Sequence, residues 1–231
     1  RSKKDGWYYL MIAEGGTEYA HRETIQRSHN VYGPYEACPD NPVISHKEYK
    51  KSEIQATGHA DLLEDENGNW WLVFLGIRRF SHALLHNLGR ETFLTPVVWT
   101  EAGWPVVGNH GLISTVMDGP LPGGEVQPVN RNFHDNFSDG KFKLQYNFLR
   151  NPEMKNYKLY PEEKMLCLEG TKVTLNETKS PTWIGIRQKG FYTETVVKVS
   201  AEDVQGMRAG LTAFYNDSYH YEIYLTREQE K

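Results

Sequence analysis

The 231-residue sequence has little cysteine, no long apolar run and no excess of basic residues. Its two cysteines, Cys38 and Cys167, are far apart and lack metal-ligand spacing, so we expect two reduced thiols and leave a disulfide open. No apolar run approaches the roughly 20 residues that cross a membrane as a helix. The net charge of −4 gives no electrostatic attraction to nucleic acid or to an anionic membrane. We therefore expect neither of them as a partner.

The sequence also lacks an initiator methionine and a leader peptide. It opens on Arg1, almost directly before a strand-like segment, and ends on Lys231, directly after another. We expect it to be an internal piece of a longer protein. The missing leader therefore leaves the compartment open.

No segment has the periodicity of an amphipathic helix, whereas residues that favour strands are abundant. Segments 7–13 and 70–75 each place an aromatic pair and an aliphatic run directly after a turn signal, Asp5-Gly6 in one case and Asn67-Gly68 in the other. The two copies are roughly sixty residues apart, a scale that suggests β-propeller blades. The pattern predicts an all-β fold, with residues 1–118 as the last blades of a propeller.

The second half of the sequence predicts a different β-domain. Proline and glycine dominate residues 119–132, which we interpret as a linker. Beyond it, residues 195–199 are strand-like, and residues 219–225 alternate as in a half-buried strand, so residues 133–231 are predicted to be part of a β-sandwich. A sandwich that stopped at this strand would leave an unpaired edge.

Three short motifs of the first domain carry residues suited to chemistry. Glu14 follows a strand and precedes Gly15-Gly16, so its carboxyl is held by rigid structure behind and flexible chain ahead. The second motif is Gly58-His59-Ala60-Asp61, and the third contains Gly89-Arg90-Glu91. Glu14 suits a positioned proton donor, although a strand-end carboxylate in solvent has the same sequence pattern.

In this order, the three motifs resemble those of the glycoside hydrolase family 43 β-xylosidases and α-L-arabinofuranosidases. The resemblance covers nearly the whole chain, and its specificity comes from several motifs in the right order. It extends to the linker and to residues 99–107, 133–138, 148–152 and 180–182.

The resemblance implies a five-bladed β-propeller with a pocket on its axis, followed by a concanavalin-A-like β-sandwich. It also implies inverting hydrolysis that releases terminal β-1,4-xylose from xylo-oligosaccharides. In this interpretation Glu14 is the general acid, Arg90 contacts the terminal sugar, and His59 is the axial histidine that holds a calcium ion or its water shell. The two aspartates of the family, one of them the base, match no residue here and are expected upstream of Arg1.

The chemistry sets conditions on these residues. An inverting glycosidase pairs a protonated carboxyl with a carboxylate roughly 6.5–9.5 Å away that activates water. The acid therefore needs a raised pKa, through burial or a neighbouring negative charge. Arg90 should contact sugar rather than Glu14, because a close guanidinium would lower the pKa of the acid. Without its base, the fragment alone is expected to be inactive.

Several alternatives stay open on the residues alone. The substrate could be an α-L-arabinofuranoside, and the propeller could be a non-catalytic carbohydrate-binding or structural domain. His59 also suits a hydrogen-bonded core histidine, and Arg90 suits an ion pair with Glu91. Asp61 could be a substitute base, cap a turn or bond the backbone next to His59, and Asp135 could ligate a structural calcium ion in the sandwich. A homo-oligomer is left open.

Overall fold

The computed structural model describes residues 5–80, 85–120, 130–201 and 206–226. The chain divides into two compact units, residues 1–127 and 128–231. The division falls inside the predicted linker, of which residues 121–129 lie outside the described part. The described residues contain no α-helix and one short 3₁₀ turn, so the all-β prediction is confirmed.

The first unit contains two four-stranded antiparallel sheets. In one sheet β2 pairs with β1 on one edge and with the short β3 and β4 on the other. The other is a meander in which each strand pairs with the next. The strands are β1 (Tyr8–Glu14), β2 (Arg22–Ser28), β3 (Glu36–Ala37), β4 (Ile44–Ser45), β5 (Ile54–Glu64), β6 (Trp70–Arg78), β7 (Glu91–Trp99) and β8 (Pro105–Val107).

The core of the first unit is formed by inward-facing residues of both sheets. The inner positions of β2 alternate with half-exposed ones, as expected for a sheet with one buried face. Ile25 of β2, Ile54 of β5 and Phe74 of β6 are essentially fully buried. Burying such a side chain contributes about 1.5–3 kcal/mol, so these positions fix which face of each strand points inward.

Strand β5 is irregular where it runs past β6. The pairing shifts register between Gln55 and Gly58 and again between Gly58 and Asp61. Ala56 and His59 have φ of 53° and 54°, a left-handed conformation that residues with a side chain rarely adopt. Such double bulges redirect side chains and are frequent next to functional sites.

A buried histidine connects β5 to the end of the first unit. The Nε2 atom of His46 accepts the Ile113 N–H at 2.9 Å, so Nδ1 carries the proton and donates to the Ile54 carbonyl at 2.7 Å. His46 has no exposed surface, and this burial lowers the pKa of its imidazole. The neutral ring is therefore a structural element of the core.

In its described residues, the second unit contains three two-stranded antiparallel sheets, β9–β12, β10–β11 and β13–β14. A 3₁₀ turn at Met154–Asn156 precedes β10. The strands are β9 (Tyr146–Phe148), β10 (Tyr157–Tyr160), β11 (Met165–Leu168), β12 (Ile184–Ile186), β13 (Arg208–Phe214) and β14 (His220–Thr226).

The structure corrects one predicted strand of this unit. Residues 195–199 are irregular, and the side chains of Val196 and Val197 are largely exposed. A run of β-branched residues forms a strand only when a neighbouring strand accepts its hydrogen bonds. The strand predicted at 219–225 is present as β14, paired with β13.

Candidate active site around strands β1, β2, β5 and β7

Glu14 is the last residue of β1, directly opposite Arg22 of β2. Its Oε2 atom accepts from Arg22 Nη2 at 2.5 Å and from Arg22 Nε at 3.1 Å. Its Oε1 atom accepts from the Thr24 hydroxyl at 2.9 Å. Both carboxylate oxygens are therefore engaged by donors from the neighbouring strand.

This environment lowers the pKa of Glu14, first through the hydrogen bonds from Arg22 and then through the one from Thr24. The raised pKa that we expected for a general acid at Glu14 is therefore wrong for the described residues. We expected Arg90 to stay away from Glu14, because its charge would lower the pKa of the acid. The guanidinium that lies beside Glu14 belongs to Arg22 instead.

The glycines after Glu14 have a definite structural reason. Gly15 has a φ of 81°, and a Cβ there would lie 2.8 Å from the Ala20 carbonyl oxygen. Only glycine fits this close approach of the chain to itself. The resulting turn brings Arg22 into register with Glu14.

His59 lies at the second bulge of β5, with its side chain exposed. The next residue, Ala60, is bonded to Glu23 of β2, which is only 2% exposed. The Glu23 carboxylate accepts the Ala60 N–H at 3.0 Å. The expectation of a core histidine is wrong for His59, since its ring is exposed.

Glu23 is a residue that the sequence reasoning missed. Burial raises the pKa of its carboxyl, and the residue is almost completely enclosed. The available signal was its place two residues before Ile25, at an inward position of the same strand. Because neighbouring side chains on a strand alternate in direction, Glu23 lies on the opposite face of β2 from Arg22, the partner of Glu14.

Arg90 lies directly before β7 with its side chain exposed. Within the described part of the chain it has neither a hydrogen bond nor an ion pair. The alternative pairing with Glu91 is wrong, because Glu91 receives two bonds from Arg78, at 2.9 and 2.8 Å.

In the described part of the chain, no hydrogen bond or ion pair joins the three predicted site residues to one another. The described polar partners of Glu14 are Arg22 and Thr24, and neither is His59 or Arg90. His59 instead neighbours Glu23. Any pocket that uses all three residues must therefore be completed by groups other than those described.

The two remaining aspartates have ordinary structural positions. Asp61 does not cap a turn, since it lies inside β5, exposed and paired with Val73. Asp135 binds the Phe137 N–H at 2.9 Å and lies 3.3 Å from the Lys143 ammonium. A paired lysine disfavours a cation at Asp135.

Calcium does not fit the described residues by themselves. They contain no group of three or more His, Cys, Asp or Glu side chains that could hold a metal ion. Calcium takes about six to eight oxygen ligands, whereas His59 offers nitrogen and the Glu23 carboxylate beside it already accepts the Ala60 N–H.

No helix in the portion of the chain that the structure describes has the length and apolar character required to cross a membrane.

Comparison with known proteins identifies both units. Residues 2–105 match the model of glycosyl hydrolases family 43, and residues 134–231 match the model of the β-xylosidase C-terminal concanavalin A-like domain. The chain belongs to glycoside hydrolase family 43. The fold class predicted from the sequence, a partial β-propeller followed by a partial β-sandwich, is thereby confirmed.

Family 43 relatives match along nearly the whole chain. A non-reducing end α-L-arabinofuranosidase of Bacteroides ovatus is 41% identical over 224 residues, which cover 95% of this chain and 41% of the relative. A β-xylosidase of Bacillus subtilis is 30% identical over 239 residues, covering 97% of this chain and 44% of the relative. The chain thus spans less than half the length of these relatives.

A solved structure confirms the likeness in three dimensions. The structure described as Bacteroides ovatus xyloglucan PUL GH43B has a TM-score of 0.85 at 36% identity, over 98% of this chain and 45% of that one. The family 43 protein BlXynB of Bacillus licheniformis also has a TM-score of 0.85, at 32% identity, over 98% of this chain and 44% of that chain.

Proposed function

We propose that the whole protein is an inverting exo-acting glycoside hydrolase that releases terminal β-1,4-xylose from xylo-oligosaccharides. The observation that carries the proposal is the match of both units to family 43, together with relatives named β-xylosidase and xylosidase/arabinosidase. In this proposal the base and the second aspartate lie outside the 231 residues.

Arg90 is the proposed sugar-binding residue. Its guanidinium is exposed and has no partner among the described residues, and its rigid fork of donors matches two vicinal hydroxyls. We expect Arg90→Lys in the full-length protein to raise KM about tenfold or more, since a charged hydrogen bond is worth about 1.5–3 kcal/mol. Arg187→Lys, an exposed arginine of the second unit, is the control. Steady-state kinetics that show the same KM for both variants would remove Arg90 from the site.

Glu14 is the proposed proton donor, but its ion pair with Arg22 favours a second role, a structural one. With Arg22 beside it, Glu14 stays ionised at neutral pH. In the structural role the ionised Glu14 orders the end of β1, and the catalytic acid is a residue outside these 231. The first role requires that a neighbouring negative charge raise the pKa of Glu14 in the complete site.

The variant Glu14→Gln separates the two roles. A lost general acid costs at least about a hundredfold on xylobiose, whose leaving group needs protonation, and much less on an activated aryl xyloside. Equal and mild losses of rate on both substrates would show that Glu14 has a structural role and is not the general acid. Glu18→Gln, an exposed carboxyl in the same turn, is the control and should leave both rates unchanged.

An α-L-arabinofuranosidase is the second candidate function, because the 41% identical relative is named as one. Comparing the aryl β-xyloside with the aryl α-L-arabinofuranoside in one assay distinguishes the activities. A higher kcat/KM for the xyloside supports the first proposal, and the reverse supports the second. No turnover of either indicates a non-catalytic carbohydrate-binding propeller.

Calcium near His59 is proposed only as an ion whose oxygen ligands come from outside the described residues. Its test is a thermal melt of the full-length protein with EDTA and then with added Ca²⁺. A melting temperature that falls and then recovers supports the ion, and one that never changes contradicts it.

A further inference from the structure

The bulged segment of β5 depends on side chains of β2 for its hydrogen bonds. Between Gln55 and Asp61 only Gly58 stays in register with β6. Ala56 and His59 both have positive φ, a conformation that persists only where the surroundings hold it. Peptide groups that leave the ladder must find other partners when they are buried.

His21 holds the first bulge. Its ring is 2% exposed, and its Nδ1 atom lies 2.9 Å from the Ala56 carbonyl oxygen, so Nδ1–H is the donor. The ring also lies against Gly58, where an added Cβ would come within 2.7 Å of Nε2. The glycine thus lets the imidazole sit directly on the backbone of β5.

Glu23 holds the second bulge. Its buried carboxylate accepts the Ala60 N–H at 3.0 Å. A glutamine keeps one acceptor oxygen but replaces the other with an NH₂ group, which cannot accept a hydrogen bond. A carboxylate is therefore a stronger acceptor for the Ala60 N–H than an amide of the same length.

Together the two side chains form what we call the β2 clamp, defined by His21 and Glu23. His21 directly precedes β2, Glu23 is the second residue of that strand, and both side chains are buried. Both bind the main chain of β5 on either side of Gly58. The result is a fixed peptide at His59 whose side chain points out to solvent.

We propose that His21 and Glu23 are positioning residues that fix the orientation of the His59 side chain in the carbohydrate site. This inference deepens the proposed function and rests on it only for its kinetic consequence. The clamp acts on His59 through the backbone, and neither of its side chains contacts substrate.

The first experiment needs no activity and no mutation. In the full-length protein, amide hydrogen exchange should show Ala60 protected as strongly as paired amides of β6, although it lies outside the β5–β6 register pairs. Exchange at the rate of exposed loop amides would show that the clamp does not exist.

The second experiment perturbs the clamp. Glu23→Gln should shift the imidazole NMR signals of His59 and speed exchange at Ala60. Asn41→Ala is the matched control, because the Asn41 side chain bonds the N–H and carbonyl of Ile25 on β2 rather than a peptide group of β5. It should lower the melting temperature but leave the His59 signals unchanged. Equal shifts of the His59 signals in both variants would show that Glu23 stabilises the fold without positioning His59.

A kinetic cycle then connects the clamp to the reaction. We expect Glu23→Gln to lower kcat/KM about tenfold, as loss of a supporting hydrogen bond does for other site histidines. The same change in a His59→Ala background should cost almost nothing more. Full additivity would overturn the positioning role.

The exchange and NMR measurements do not depend on the activity measurement. If no glycoside is hydrolysed, the proposed function fails while the exchange and NMR results still decide the clamp. If Glu23→Gln does not fold, Gly58→Ala replaces it, because its Cβ displaces the His21 ring and should likewise move the His59 signals.

Discussion

At the residue scale, His46 and Glu14 show how local partners decide the charge of a side chain. The His46 imidazole is neutral because one ring nitrogen must accept a peptide N–H. The Glu14 carboxyl is ionised because a guanidinium and a hydroxyl donate to it. Each assignment gives a pH-dependent prediction.

Acid should destabilise the protein partly through His46. Its folded-state pKa lies below the unfolded value of about 6.5, so the unfolded state binds more protons as pH falls below about 6.5. The stabilisation is complete above that pH and declines beneath it, with a slope that approaches about 1.4 kcal/mol per pH unit. Urea unfolding of wild type and His46→Gln between about pH 8 and pH 5 should show a smaller slope in the variant. Parallel curves would contradict the buried neutral ring.

The ion pair at Glu14 predicts a measurable carboxyl titration. Removing the first cause of the lowered pKa with Arg22→Gln should raise the pKa of Glu14 toward its ordinary value, as followed by side-chain NMR. Thr24→Val removes the second cause and should raise it less. An unchanged titration in Arg22→Gln would mean that the pairing does not exist in solution.

The sequence motifs located these residues but not their electrostatics. Glu14 was predicted at the end of a strand, and it is there. Its partner Arg22 could not be recognised, because the pairing depends on the register of the β1–β2 turn. Glu23 was missed for a similar reason, since its backbone partners belong to a strand more than thirty residues away.

At the scale of elements, the turn between β7 and β8 joins the two sheets of the first unit. The Tyr9 hydroxyl donates to the Gly103 carbonyl at 2.8 Å, and Arg27 Nη1 donates to the Ala102 carbonyl at 2.6 Å. The Arg27 guanidinium also lies 4.0 Å from the centre of the Trp104 ring. Burial, with the nearby Asp5, raises the pKa of Tyr9 to about 12, so its hydroxyl remains a donor.

This contact predicts that Arg27→Lys destabilises the first unit by about 1–2 kcal/mol, because lysine loses both the planar stacking and the fork of donors. Arg208→Lys is the control, since Arg208 stacks on Tyr224 at an exposed position and should cost less than about 0.5 kcal/mol. Chemical denaturation followed by tryptophan fluorescence measures both. Equal effects would show that the turn is not held by Arg27.

Elements followed from the sequence where a partner strand was also nearby in sequence. The strands predicted after the turn signals at residues 7–13 and 70–75 are present as β1 and β6. The bulges of β5 were not predictable, because they depend on side chains from another sheet. Residues 195–199 had strand composition but found no pairing strand among the described residues.

At the scale of the whole molecule, the chain is two β-units of family 43 that cover less than half of the relatives' length. The base expected for inversion matches no residue within the 231. We therefore expect the isolated chain to show no turnover of xylobiose above buffer. Detectable turnover by the purified fragment, abolished by Glu14→Gln, would contradict the proposed location of the base.

The central claim is inverting release of xylose by the full-length protein. Its most direct measurement is ¹H NMR of the anomeric signals during the first minutes of xylobiose hydrolysis, before mutarotation. Inversion at a β-linkage predicts that the xylose released from the non-reducing end appears first as the α-anomer. Initial appearance of the xylose from the non-reducing end as the β-anomer would contradict the account.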